Sequence, residues 1–173
     1  STRWGPITVH GNEAKGNDMS TEAANFSPAG GGNGGGNGGS DAPPPVILSH
    51  VSLGTNRFEE AVAFYDRVLA TLGVGRVMDL SAERAVAYGR AFPEFWVQAP
   101  CDGQRAQAAN GVHVAFLAAS PQQVQAFHAA ALAAGGTDDG APGPRPHYGK
   151  EYYGCFVRDL DGHKIEAMSV AHG

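Results

Sequence analysis

The sequence predicts an α+β protein built from two repeated halves. From Val46 onward, short alternating runs rich in β-branched residues predict strands, and two longer segments place apolar residues at helical spacing. Three pairs of identical residues in matching elements are each 63 residues apart: His50 and His113, Phe64 and Phe127, and Gly73 and Gly136. One such pair would be explained by chance, but three in matching elements favour an internal duplication.

The first half begins with a strand, VILSHVSLG, and continues with a helix in NRFEEAVAFYDRVLATLG. Five apolar residues of that helix repeat with helical spacing: Phe58, Val62, Tyr65, Leu69 and Leu72. Gly73 is the expected helix stop. Three strand candidates follow, GVGRVMDL, RAVAYGR and EFWVQAP.

The second half repeats this order with a strand in GVHVAFLA and a helix in SPQQVQAFHAAALAAGG. Ser120 is the predicted N-cap of that helix, and Pro121 occupies its first turn. A loop is expected from Gly136 to Gly149, rich in Gly and Pro, followed by strands in YYGCFVRD and HKIEAMSV. Loops of this length are often lids or binding segments, although a solvated connection stiffened by Pro fits equally well.

The composition divides the chain into a tail and a domain. Residues 28–45, PAGGGNGGGNGGSDAPPP, cannot bury enough apolar surface to offset the entropy lost on ordering. We therefore expect residues 1–45 to be a flexible Gly/Pro-rich tail and residues 46–170 to form one domain, with modules at about 46–100 and 110–170. A scaffold function for the tail is an alternative that only its composition supports.

Charge and hydropathy exclude several classes of partner. The formal net charge is −5 with only 12 Lys and Arg residues, so the clustered cations that bind nucleic acid are not expected. No run of 18 apolar residues and no signal-peptide pattern occurs, which predicts a soluble, cytoplasmic protein without a membrane partner. Cys101 and Cys155 lack a metal-binding or disulfide pattern and are interpreted as free thiols.

Two histidines and one glutamate are the candidate metal ligands. The duplication places His50 and His113 at equivalent positions in the first strand of each half, and Glu166 lies within the apolar run that ends the second half. Imidazole and carboxylate groups held on strands are a common site for Zn, Fe, Ni or Mn. Three protein ligands would leave open positions for substrate, as in catalytic sites.

Each of these residues also has an ordinary structural explanation. A lone His on a half-buried strand is usually a hydrogen-bonded core residue, and a lone Glu usually faces solvent. His163 is not expected to join the group, because an odd step of three residues sends it to the face opposite Glu166.

The order of elements and three motifs resemble the vicinal oxygen chelate superfamily. HVSL opens the first half, GVHVAF opens the second, and DLDGHKIEA closes it. This superfamily contains glyoxalase I, bleomycin-resistance proteins, fosfomycin-modifying thiol transferases and extradiol dioxygenases. The resemblance covers about residues 46–170 and implies two βαβββ modules forming a curled mixed sheet around a central cleft. It carries metal-ligand positions onto His50, His113 and Glu166.

The resemblance does not single out one activity. Glyoxalase I has a fourth ligand, a carboxylate, on the strand that here contains Trp96 and Gln98, and it tends to carry a basic residue where this chain has Gly54. The fosfomycin enzymes have a Lys/Ser-bearing loop before the last hairpin, whereas the corresponding segment here, GAPGPRPHYGKEYYG, has no Ser and a single Lys, Lys150. The dioxygenases carry further His residues that have no counterpart on the Glu166 face.

We therefore expect a divalent-metal-dependent enzyme of lyase, thiol-transferase or dioxygenase type. Its partner would be a small molecule that chelates the metal through adjacent oxygens, with Glu166 as the catalytic residue and Zn, Ni, Mn or Fe as the metal. The candidate substrate-binding residues are Trp96, Gln98, Arg145 and Tyr148. A homodimer remains open, and the competing hypothesis is a non-catalytic protein that sequesters a small molecule or antibiotic.

Overall fold

The first half of the domain forms one βαβββ module. The computed structural model describes residues 48–170, so the predicted tail of residues 1–45 lies outside the described residues. In chain order the module contains β1 (Val51–Gly54), α1 (Phe58–Ala70), β2 (Gly75–Leu80), a one-turn 3-10 helix (Ser81–Glu83), β3 (Ala85–Gly89) and β4 (Phe95–Gln98). The predicted strands and helix of this half are all present.

The second half repeats the same order of elements. It contains β5 (His113–Leu117), α2 (Pro121–Ala133), β6 (Thr137–Pro144), β7 (Tyr152–Arg158) and β8 (Lys164–Val170). Helix α2 begins as predicted, because the Ser120 side chain accepts a hydrogen bond from the backbone N–H of Gln123 at 3.3 Å. Pro121 is the first helical residue.

The loop predicted from Gly136 to Gly149 is wrong over its first part, where β6 pairs antiparallel with β7. Gly and Pro are depleted in strands, which is why this segment resembled a loop. Here they permit an irregular edge strand whose register shifts on both sides of Gly140. Gly140 has a φ of 150°, and a Cβ built there would lie 3.0 Å from Cδ2 of Phe156. The glycine therefore allows β6 to approach that ring closely.

The two modules have the same topology. The first sheet has the order β1-β4-β3-β2 and the second β5-β8-β7-β6, with one parallel pair in each, β1 with β4 and β5 with β8. Helices α1 and α2 are both 13 residues long and start 63 residues apart, at Phe58 and Pro121. The predicted α+β class and its two βαβββ modules are confirmed, and the strands lie in two four-stranded sheets rather than in one continuous sheet.

Both modules contribute to one hydrophobic core. The five residues predicted for the apolar stripe of α1 are all buried: Phe58, Val62, Tyr65, Leu69 and Leu72. The ring of Phe116 on β5 links the modules, because its centroid lies 5.1 Å from that of Phe95 and 6.0 Å from that of Phe127.

Strand β5 buries one face and leaves the other exposed. On β5, Val114 and Phe116 pack against the core, whereas His113, Ala115 and Leu117 alternate with them and are exposed.

No helix within residues 48–170 is long and apolar enough to span a membrane.

The turn between β7 and β8 joins the two modules. Asp161 accepts hydrogen bonds from the Thr55 hydroxyl at 2.5 Å and from the backbone N–H of Asn56 at 3.0 Å. The Nε2 atom of His163 lies 2.7 Å from the carbonyl oxygen of Gly54. These contacts hold the start of β8 against the end of β1, so they fix the strand that carries Glu166.

Candidate metal and substrate site

Glu166 lies on the open face of the second sheet, in a central strand. It is paired with Ala115 of β5 on one side and with Phe156 of β7 on the other. Its neighbours Ile165 and Ala167 point into the core, so alternation sends the Glu166 side chain to the opposite face. That side chain is nevertheless only 2% exposed. A carboxylate so deeply buried requires polar or cationic partners.

Two side chains provide such contacts. The Tyr152 hydroxyl donates a hydrogen bond to Oε1 of Glu166 at 2.6 Å, and Nε2 of His113 lies 3.3 Å from Oε2. Burial, reinforced by the hydrogen bond to Glu166, raises the pKa of Tyr152 well above its ordinary value, so the phenol keeps its proton and acts as a donor. Among residues 48–170, no Lys or Arg forms an ion pair with Glu166.

Gly154 makes room for the Glu166 carboxylate. It lies on β7 between Tyr152 and Phe156, where alternation directs all three residues to the open face. A Cβ built on Gly154 would lie 3.0 Å from Oε1 of Glu166 and 3.2 Å from Cε1 of Tyr152. Any larger residue would displace the carboxylate or the phenol.

A cavity of about 550 Å³ opens over this pair. It is lined by Asn110, Gly111, Val112, His113, Tyr148, Tyr152, Phe156, Arg158, Lys164 and Glu166. Aromatic rings thus form part of its wall, and charged groups of both signs face it. This size and mixture suit a small organic ligand.

The cationic groups of the cavity are held by one carboxylate. Oδ2 of Asp139 lies 3.0 Å from Nε of Arg158 and 3.0 Å from Nζ of Lys164. The hydrogen bond from Lys164 keeps the pKa of Asp139 below its ordinary value, so Asp139 is ionised at neutral pH. Nζ of Lys164 also lies 4.3 Å from the centroid of the Phe156 ring, within cation–π range.

Two of the three predicted metal ligands, His113 and Glu166, lie close together within one chain. His50 is exposed and lines a separate cavity of about 300 Å³ together with Leu69, Leu72 and Leu117. Within the described residues, no group of three His, Cys, Asp or Glu side chains is close enough to hold a metal ion. His113 and Glu166 are therefore a pair in the single chain, without His50.

The predicted substrate-binding residues are divided between the modules. Trp96 and Gln98 are half-buried on β4 of the first module and do not line the cavity over Glu166. Tyr148 does line it, and its ring centroid is 5.3 Å from that of Tyr152. Arg145 donates one hydrogen bond to the carbonyl oxygen of Ala141 at 2.8 Å, and its guanidinium lies 5.8 Å from the centroid of the Phe156 ring.

Sequence reasoning did not assign Tyr152, Arg158 and Lys164 to the site. Period-two alternation along YYGCFVRD would have placed Tyr152, Gly154, Phe156 and Arg158 on one face. The register between β7 and β8 was needed to show that this is the face of Glu166. His163, as expected, is directed away from the pair and contacts Gly54 instead.

Fold and site together describe a two-module α+β protein with an open, ligand-sized cavity beside a buried carboxylate. The family model of the Glyoxalase/Bleomycin resistance protein/Dioxygenase superfamily matches residues 47–167. The chain therefore belongs to this superfamily, as the sequence motifs predicted. No curated protein matches the sequence.

Solved structures agree with this assignment. The chain is similar to a glyoxalase/bleomycin resistance protein from Albidiferax ferrireducens T118, with 39% identity and a TM-score of 0.63, over 72% of this chain and 98% of that one. It also resembles a lactoylglutathione lyase from Agrobacterium tumefaciens, with 21% identity and a TM-score of 0.52, over 74% and 96% of the two chains. The fosfomycin resistance protein FosX from Listeria monocytogenes is 18% identical, with a TM-score of 0.53, over 73% and 94%. The last two comparisons show a shared fold.

Proposed function

We propose that this protein is a divalent-metal-dependent enzyme that acts on a small molecule able to chelate the metal through adjacent oxygens. The observation that carries the proposal is Glu166, a carboxylate only 2% exposed that faces a cavity beside His113 without a Lys or Arg partner among residues 48–170. A buried carboxylate in that setting is a strong candidate for a metal ligand.

The chemistry of the donors fits such an ion. Nε2 of His113 and Oε2 of Glu166 face each other at 3.3 Å, and imidazole with carboxylate suits Zn, Ni, Mn or Fe. Tyr152 donates to the other carboxylate oxygen, which is how outer hydrogen bonds orient a ligating carboxylate. His113 and Glu166 would thus hold the metal, and Tyr152 would fix the direction of Glu166.

A metal at this position would act as a Lewis acid that polarises a substrate carbonyl or hydroxyl group. The protein contributes the orientation of its ligands and a wall of Tyr148, Tyr152 and Phe156 against which the substrate can pack. Glu166 is the proposed catalytic residue, since its carboxylate is directed at the cavity from a rigid central strand. Lyase, thiol-transferase and dioxygenase chemistry are all compatible with this arrangement.

We propose that a homodimer completes the ligand set. His50 is exposed and lines one cavity together with two exposed apolar residues, Leu48 at 67% and Leu117 at 68% exposed. If the first module of one copy covers the second module of another, His50, Trp96 and Gln98 would face the cavity over Glu166. Each dimer would then contain two equivalent sites.

Metal analysis tests the ligand pair. Protein purified without chelator and loaded with Zn, Ni, Mn or Fe should bind about one ion per chain, and Glu166→Gln and His113→Ala should lower the affinity at least tenfold. His128→Ala is the matched control, because His128 lies on α2 beside Asp138, away from the cavity. Uptake below about one-tenth of an ion per chain would rule out the metal site.

Mixed dimers test the sharing of the site. His50→Ala and Glu166→Gln should each bind metal poorly alone, whereas a refolded mixture should recover about a quarter of an ion per chain, because a mixed dimer has one intact site. A mixture that binds no more metal than its two components would contradict the shared site.

Activity would then be sought with each metal against thiol adducts, catechols and fosfomycin. A substrate turned over by the metal-loaded protein and not by Glu166→Gln would establish the enzyme.

A second function is favoured by the aromatic wall of the cavity. Tyr148, Tyr152 and Phe156 would suit a protein that binds and sequesters a flat small molecule without chemistry. In that case ligand binding would be unchanged by removal of metal and by Glu166→Gln. An affinity that depends on metal would exclude this function.

A further inference from the structure

We propose that the substrate carries a second, anionic group, a carboxylate or a phosphate-type group, which binds Lys164 and Arg158 in the cavity over Glu166. The inference rests on the proposed function, because it names the substrate class for the same cavity. It concerns two residues to which neither the sequence motifs nor the proposed metal chemistry gives a role.

Both cations face the cavity from neighbouring strands. Lys164 on β8 is paired directly with Arg158 on β7, and alternation places them on the same open face as Glu166. Both line the cavity, with side chains that are 28% and 41% exposed, respectively. A ligand in the cavity can therefore reach both charged groups.

Charge at this end is not balanced within the described chain. Asp139 is the one carboxylate within ion-pair distance of Lys164 and Arg158 among residues 48–170, so two positive charges share one negative charge. The remaining positive charge is available to a ligand. Asp139 also restrains both side chains, which lowers the entropy lost when an anion binds.

Phe156 restricts the position of Lys164 further. The ammonium group lies 4.3 Å from the ring centroid, and the ring itself lines the cavity. A flat substrate stacked on Phe156 would place an anionic substituent beside this ammonium group. Arginine and lysine side by side suit carboxylate and phosphate oxygens.

The spacing along β8 limits the size of the substrate. Lys164 and Glu166 are two residues apart on one strand, so their Cα atoms are about 7 Å apart. The metal-chelating oxygens and the anionic group should therefore belong to different substituents of one compact molecule, such as a para-disubstituted benzene ring.

The experiment compares matched metal chelators on the full-length, zinc-loaded protein. The probes are 4-carboxybenzohydroxamate, 4-phosphonobenzohydroxamate and the neutral 4-carbamoylbenzohydroxamate, measured by isothermal titration calorimetry. We expect at least one anionic probe to bind about tenfold more tightly than the neutral probe. The tighter of the two anionic probes identifies a carboxylate or a phosphate-type group.

Variants of Lys164 test whether this residue causes the preference for anionic probes. Lys164→Gln should abolish the preference, so that the anionic and neutral probes bind this variant equally, and Lys164→Arg should retain it. Lys150→Gln, outside the cavity in the segment between β6 and β7, should change neither affinity. Circular dichroism would verify that each variant is folded.

The outcomes separate the two proposals. Equal affinity for neutral and anionic probes, or a preference that persists in Lys164→Gln, would overturn the anion site while leaving the metal site intact. If none of the three probes binds more tightly with zinc than without it, the proposed metal site itself fails, and this inference fails with it.

Discussion

The hydroxyl of Tyr152 donates a 2.6 Å hydrogen bond to one oxygen of Glu166, while the other oxygen faces His113. One carboxylate oxygen therefore accepts a hydrogen bond from a neutral donor on β7. The other oxygen is directed toward the position proposed for the metal. The two contacts give each oxygen of this side chain, which is only 2% exposed, a polar neighbour.

Removing the phenolic hydroxyl should weaken metal binding. Tyr152→Phe is expected to lower zinc affinity by about tenfold, because an outer hydrogen bond orients the ligating carboxylate. A competition titration with a fluorescent zinc chelator measures the change. Tyr153→Phe is the matched control, since the Tyr153 hydroxyl accepts from Gln125 and does not contact Glu166. Equal affinities of the two variants would contradict the orienting role of Tyr152.

Adding a methyl group at Gly154 should disturb the same carboxylate. The new Cβ of Gly154→Ala would lie 3.0 Å from Oε1 of Glu166, so the side chain must shift. We expect a loss of about 1–3 kcal/mol in the free energy of unfolding and a reduced zinc affinity. Gly75→Ala on β2 is the control, because its Cβ would meet nothing within 4 Å. Urea denaturation and zinc titration give both quantities, and an unaffected Gly154→Ala would be inconsistent with the tight packing.

Asp161 should make stability depend on pH. Burial alone would raise the pKa of this carboxyl, but hydrogen bonds from Thr55 and Asn56 outweigh it and lower the pKa below its ordinary value. This contribution is therefore fully present above the ordinary pKa of aspartate, about 4, and is lost as the pH falls through the lower folded value.

The substitution Asp161→Ala tests this contribution. It should cost about 1–3 kcal/mol at pH 6, because it removes the acceptor of three hydrogen bonds between the modules. The difference from wild type should shrink below about pH 4. Urea denaturation at both pH values measures it, with the exposed Asp102→Ala as the control. A difference that does not shrink on acidification would refute the electrostatic explanation.

The two cysteines should react at very different rates. Cys101 is exposed, whereas Cys155 is fully buried and burial raises the pKa of its thiol to about 11. We expect a thiol reagent to label one cysteine rapidly in the native protein and the second only after denaturation, because the thiolate is the reactive form. Rapid labelling of both in native protein would show that the core around α2 and β7 is open. Cys101→Ser identifies which signal belongs to which residue.

Period-two alternation was enough to predict most of the strands and to separate His163 from the face of Glu166. The same argument failed for β6, because Gly140, Gly143 and Pro144 have low strand propensity, and only pairing with β7 makes them a strand.

The partners of Glu166 were harder to predict. Tyr152 comes 14 positions earlier in the sequence, and its contact depends on a register that no local pattern encodes. His50 was grouped with His113 through the duplication and the family resemblance. In the structure it instead lines a cavity with residues of both modules, such as Leu72 and Leu117, apart from the cavity over Glu166.

The most direct test of the metal proposal is a crystal structure of the zinc-loaded protein, with data collected on both sides of the zinc absorption edge. We expect an anomalous peak about 2.0–2.2 Å from Nε2 of His113 and from an oxygen of Glu166, with His50 of a second copy as the third ligand. Strong zinc peaks confined to other histidines, with Glu166 still bound only by Tyr152 and His113, would contradict it.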